Sequence, residues 1–142
     1  MRRDPSLIPL SHQHQHALAL CVLVDRALAS GEDAEAQARV VVDQFDSEMQ
    51  KHFEVEEQIL FPAVMAFASV HDLITELIAE HRRMAALVES LRSSGDRSVI
   101  LEFSGLLRRH VRKEESVLFE EAQRLLSREQ LEAMGEQIAR EA

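Results

Sequence analysis

The chain is poor in the residues that punctuate or staple a fold. Its 142 residues hold four glycines and three prolines, and no stretch alternates apolar and polar positions with β-branched enrichment, which excludes a sheet-based architecture. One cysteine, Cys21, excludes an internal disulfide framework and suits a reducing compartment, so the cytoplasm is the expected location. The same scarcity argues against iron–sulfur clusters and cysteine-rich structural zinc. Tyrosine and tryptophan are absent, so the usual side-chain carriers of radical chemistry are missing. No apolar run approaches the roughly eighteen residues of a membrane span, and the opening MRRDPSLIPLS lacks a signal-peptide core; neither a membrane nor export is expected. The net charge of −9, from 25 acidic and 16 basic residues, argues against nucleic acid as a partner.

What is present is helical periodicity. Pro5 and Pro9 suggest a short extended arm, with Ser11 capping a first helix that runs to about residue 30 and ends at Gly31. A second helix is expected from about residue 33 to beyond 60, with Pro62 as a kink or break. A third spans about residues 71–93 before Gly95, and a fourth is capped by Asp96 or Ser98. Ser127 followed by Gln130 resembles a capping box that opens a short fifth helix. The expected fold is all-α: one domain over residues 1–142, an up-down-up-down four-helix bundle over about 10–126 covered by a terminal helix at about 128–141.

The apolar seams of these helices carry misplaced residues. The first seam reads Leu7, Leu10, His14, Ala17, Cys21, Val24 and Leu28. The second reads Ala38, Val41, Phe45, Met49, His52, Glu56, Ile59 and Ala63. The third runs Ile74, Leu77, His81, Met84, Val88 and Leu91, and the fourth Val99, Phe103, Leu106, His110, Glu114 and Val117. Each helix therefore puts one histidine where Leu or Ile belongs, and the second and fourth add a glutamate one turn on. A His-x-x-x-Glu pair alone is a weak signal, of which roughly one is expected by chance in such a chain. These two share more: HFEVEEQILFP from His52 and HVRKEESVLFE from His110 also match at Glu57 and Glu115, Leu60 and Leu118, and Phe61 and Phe119. Burying six ionisable groups without a compensating partner costs several kcal/mol each, so a bound cation is the economical explanation. Four imidazoles and two carboxylates suit two ions bridged by both carboxylates, with positions left for solvent or a small ligand, and favour iron, manganese or zinc.

On helix one, His12, His14 and His16 compete for one inward role, because residues two apart differ by about 160° in facing. His14 shares the seam with Leu7, Cys21 and Leu28 and is the expected ligand. His16, on a rival seam through Leu20, Leu23 and Ala27, is the alternative or a neighbour that orients a ligand, and His12 is expected in solvent. Glu48, Glu57 and Glu115 read as solvated or ligand-orienting. Cys21 reads as core, His71 as surface, and the pairs Arg82-Arg83 and Arg108-Arg109 as a solvated face.

The motifs His52-x-x-x-Glu56-Glu57-x-x-Leu60-Phe61-Pro62, Glu80-His81 and His110-x-x-x-Glu114-Glu115-x-x-Leu118-Phe119 resemble those of hemerythrin-like, or HHE cation-binding, domains. The resemblance spans about residues 10–126. It implies a four-helix bundle with a non-haem di-iron centre, oxo- or hydroxo-bridged, held by His52, Glu56, His81, His110 and Glu114 with a helix-one histidine completing the set, the place for which the seam favours His14. It also implies the family's known roles: oxygen binding, oxygen or iron sensing, and defence against nitric oxide or oxidative stress. Two positions depart from the pattern. Oxygen-carrying members have two histidines four apart on the third helix, where this chain has Leu77 and Ala85 around His81; and Glu120 stands where the repeat has proline. The leading functional expectation is a non-enzymatic di-iron protein that binds or senses oxygen, nitric oxide or iron. The alternatives are a di-iron enzyme consuming peroxide or nitric oxide, and a helical interaction module stapled by a metal such as zinc. The sequence names no protein partner.

Overall fold

The computed structural model describes residues 2–142, and among them five helices and no strands. Helix α1 is Ile8–Ala29. Helix α2 runs without interruption over residues 34–64, α3 is His71–Leu91, α4 covers 97–125, and α5 is Arg128–Glu141. The first four close a ring in which each helix packs on its neighbours in sequence and α1 also packs on α4. Short connections make these neighbours antiparallel, giving the expected up-down-up-down bundle.

Most ends follow local chemistry. Asp33 and Asp96 each accept a backbone N–H two residues on, from Glu35 and Ser98, and so start α2 and α4. Gly31, at φ 81°, terminates α1 in the left-handed region that costs glycine nothing. Ser127 and Gln130 form a reciprocal capping box at the start of α5. The start of α1 differs from expectation. The helix begins at Ile8, before Ser11, and Pro9 lies inside its first turn, where a missing N–H leaves no bond unmade. Pro62 also fails to break α2, which continues to Val64.

A second difference lies in the interior of α2 and α4. Residues Phe45–Met49, Glu56–Leu60 and Glu114–Leu118 are π-helical turns, and in the last two, which start on the glutamates of the repeat, the amides of Phe61 and Phe119 bond carbonyls five residues back, at Glu56 and Glu114. One extra residue per turn rotates everything after it by about 100°. The inner face therefore passes from the expected Ile59, Ala63 and Val117 to Leu60, Val64 and Leu118. Leu60, Val64 and Leu118 are fully buried, Ile59 and Ala63 are only partly covered, and Val117 is 45% exposed.

The core is divided in two. One apolar cluster takes in Cys21, Val24, Phe45, Met84, Val88, Ile100 and Phe103; the other takes in Leu7, Leu10, Leu60, Phe61, Leu77, Leu118 and Phe119 and is closed by Leu131, Met134 and Ile138 of α5. Between them His14, His52, Glu56, His81, His110 and Glu114 are all buried, a polar layer inside an apolar bundle.

Candidate metal centre

Each of the four bundle helices delivers one imidazole to this layer from a seam position, and the i, i+4 relation on α2 and α4 sets a carboxylate beside two of them. All four histidines turn Nε2 inward. His14 Nε2 and His52 Nε2 lie 3.1 Å apart, and His81 Nε2 and His110 Nε2 lie 3.2 Å apart. Two donors about 2.1 Å from one ion, at right angles around it, stand about 3 Å apart, so each pair has the spacing of neighbours on one cation.

The carboxylates connect the pairs. Glu56 Oε2 lies 3.2 Å from His52 Nε2 and 3.9 Å from His14 Nε2, while its Oε1 lies 3.0 Å from His81 Nε2 and 3.9 Å from His110 Nε2. Glu114 Oε1 lies 2.9 Å from His14 Nε2 and 3.4 Å from His110 Nε2. Two groups of four donors result, His14, His52, Glu56, Glu114 and Glu56, His81, His110, Glu114, each with its ligating atoms within 4.8 Å of one another. Both glutamates are fully buried, and their Oε2 atoms have no hydrogen-bond partner. A buried carboxylate oxygen left unpaired costs free energy that a cation would recover, and nitrogen with oxygen donors fits a borderline transition ion such as iron, manganese or zinc.

Without an ion, protons take that role. Burial disfavours the charged His14 ring, yet hydrogen bonds to Glu114 and Glu115 and the charges of Glu114 and Glu56 raise its pKa to about 9. His110 moves the same way: burial opposes its charge, and Glu114, Glu56 and Glu80 outweigh burial. Burial would raise the Glu56 carboxyl, but the His52 charge and its hydrogen-bonding neighbours hold it well below the usual range.

An outer ring fixes the orientation of the imidazoles. His14 Nδ1 meets Glu115 Oε2 at 2.5 Å, His81 Nδ1 meets Glu57 Oε2 at 2.7 Å, His110 Nδ1 meets Glu80 Oε1 at 2.8 Å, and His52 Nδ1 meets Gln13 Oε1 at 2.5 Å. An acceptor at Nδ1 places the proton there and leaves the Nε2 lone pair facing inward. The Glu-Glu doublets thus divide two tasks: Glu56 and Glu114 point into the layer, while Glu57 and Glu115 reach sideways to histidines of neighbouring helices. Aromatic rings wall the layer. Phe53 stacks on His81 at 4.0 Å, and Phe119 on His14 at 5.4 Å.

The six residues expected from the sequence are brought together. His16 is not among them; it lies on the surface with Nδ1 3.1 Å from Glu48. His12 and His71 are exposed, and Cys21 is core, its thiol pushed up by burial. Sequence reasoning had no specific task for Glu80 and missed Gln13 altogether. The repeated doublet signalled Glu57 and Glu115, but a single glutamine beside a histidine carries no signal.

A helical bundle with a buried histidine and carboxylate layer of this kind fits a metal-binding protein. The family model described as the Hemerythrin HHE cation binding domain matches residues 9–122, from the first turn of α1 into the last segment of α4. The chain belongs to that family. Comparison with curated proteins and with solved structures finds no match.

Proposed function

We propose that the layer holds two iron ions, one between His14 and His52 and one between His81 and His110, with Glu56 and Glu114 shared, and that the protein binds or senses a small ligand such as oxygen or nitric oxide, or iron itself. One observation carries this reading: the two oxygens of a single buried carboxylate, Glu56, face two different histidine pairs. When bound, iron would supply reversible redox change and open positions for a diatomic ligand. The protein's residues turn four imidazole Nε2 atoms inward, hold the rings in place through the outer ring of Nδ1 partners, and keep bulk water out with Phe53, Phe61 and Phe119. A role in redox or nitrosative stress, or in iron handling, is consistent with that chemistry.

The test is to load the protein with iron, count ions per chain by elemental analysis, and record spectra as oxygen, peroxide and nitric oxide are added in turn. Two irons per chain and a reversible adduct support the reading; sustained turnover of peroxide or nitric oxide would make the protein an enzyme. A colourless protein that retains only zinc would reduce the layer to a structural staple. Glu114→Ala should abolish uptake of both ions, because Glu114 belongs to both donor groups. Glu115→Ala should weaken binding by roughly 10- to 100-fold, because it only orients His14. Equal loss from both variants would show that the wrong carboxylate has been placed inside.

A further inference from the structure

The helix-one histidines that the layer leaves out form a pattern of their own. His12 and His16 lie four apart on α1, one turn above the other on a single outward face, and both are exposed, His16 with 63% of its side chain in solvent. Two imidazoles at that spacing on a helix can close on one transition ion, as paired histidines do in helical zinc sites. Their Cβ atoms stand about 5–6 Å apart, and rotation about χ1 and χ2 brings two Nε2 atoms to the roughly 3 Å of neighbours on one ion.

His16 is already oriented for that task. Its Nδ1 meets Glu48 Oε1 at 3.1 Å, and Gln44 Nε2 donates to the other Glu48 oxygen at 2.5 Å. A carboxylate at Nδ1 leaves Nε2 as the free donor, the arrangement found behind His14, His81 and His110 in the layer. The His12 ring makes no hydrogen bond among the described residues, so none holds it from turning toward His16. Glu48 also has an inner side. It lines a small cavity of about 10 Å³ that His14 and His52 line as well, and along α2 Glu48, His52 and Glu56 follow one another at intervals of four. The exposed pair therefore stands at the head of a file of donors that ends in the layer. The net charge of −9 draws cations toward the surface.

We propose a third metal site, on the outer surface of α1: His12 and His16, with Glu48 behind His16, take one divalent transition ion and collect the iron that fills the layer. The collecting role rests on the two-ion reading above, and the surface site itself does not. Held by two protein donors only, the surface ion leaves on desalting, so metal counted in a desalted chain is the metal of the layer.

The test takes the full chain, iron-loaded and desalted, into equilibrium dialysis against zinc, with iron counted alongside. One zinc should bind while the iron stays. His12→Ala and His16→Ala should each weaken that zinc by more than about 10-fold and Glu48→Gln by about 10-fold, while His71→Ala, which removes a lone exposed histidine, should leave it unchanged. Zinc that is not bound, that binds only in exchange for iron, or that binds the His12 and His16 variants as tightly as the wild type overturns the site. The second arm is anaerobic uptake of limiting ferrous iron by the chelated chain. His12→Ala should fill the layer about 10-fold more slowly and reach the same final count. An unchanged rate overturns the collecting role. A wild-type layer that takes up fewer than two irons overturns the two-ion reading, and the zinc arm still decides the surface site.

Discussion

At the scale of the residue, inward or outward facing separates groups of identical chemistry. His14 and His16 are two positions apart, yet one is buried against Glu114 and the other stands in solvent against Glu48. His14→Ala should strip at least one ion, while His16→Ala should leave metal content unchanged; elemental analysis of both variants checks this, and the reverse result would mean that α1 is rotated. The same imidazole predicts a pH dependence. In chelated protein its pKa is raised from 6.5 to about 9, so its contribution to stability is fully present below pH 6.5 and is lost as pH rises through about 9. The melting temperature of chelated protein should therefore fall across that window. Iron-loaded protein should lack this fall, because Nε2 is then committed to the ion and His14 holds no second proton to lose. A chelated melting temperature that is flat from pH 6.5 to 9.5 would contradict the assignment.

At the scale of the element, the π-turns decide which residues form the lower core. Two of the three, Glu56–Leu60 and Glu114–Leu118, begin on the inward glutamates and recur at the spacing of the sequence repeat, while the third, Phe45–Met49, lies earlier in α2. A regular α-helix would bury Val117 and expose Leu118; the wide turn reverses them. Leu118→Ala should cost about 2–5 kcal/mol, as truncations of fully buried leucines do, while Val117→Ala should stay within about 0.5 kcal/mol. Chemical denaturation of both variants measures the difference. Comparable costs would mean that the helix is regular there.

At the scale of the whole molecule, α5 and the N-terminal arm seal the lower core. Asp4 bonds Arg128 through both carboxylate oxygens, at 2.7 and 3.0 Å, and Gly135 lies so close to the arm that an added Cβ would sit 2.7 Å from Ser6 Cβ and 2.9 Å from its Cα. Gly135→Ala should push α5 off the arm and cost about 1–3 kcal/mol despite alanine's better helix propensity. Gly105, inside α4, would meet only the tip of Arg109 at 3.4 Å, so Gly105→Ala should gain up to about 1 kcal/mol. Thermal melts of the two variants should move in opposite directions, and a gain from both would show that the contact at Ser6 is loose.

The helices, their order and the inward placement of six ionisable side chains were legible in the chain itself. Period 3.6 and few breakers specify helices. One histidine in each apolar seam marks a shared level in the bundle, and the doubled His-x-x-x-Glu-Glu block marks two equivalent half-sites. Other features needed the tertiary structure. The π-turns were not read from the helical period, because a regular α-helix is the local default and the wider turn shows only in what the folded bundle buries, Leu60 and Leu118 in place of Ile59 and Val117. The start of α1 at Ile8 is likewise set by burial of Leu7 and Leu10, overriding the cap that Ser11 could have formed. Which carboxylate stands behind which imidazole depends on distances across helices between residues up to 101 apart in sequence, and no spacing rule reaches that far. The sequence determined that a polar layer must exist; the packing of four helices decided that its carboxylates face two histidine pairs and that Gln13 stands behind one ring where a carboxylate stands behind the other three.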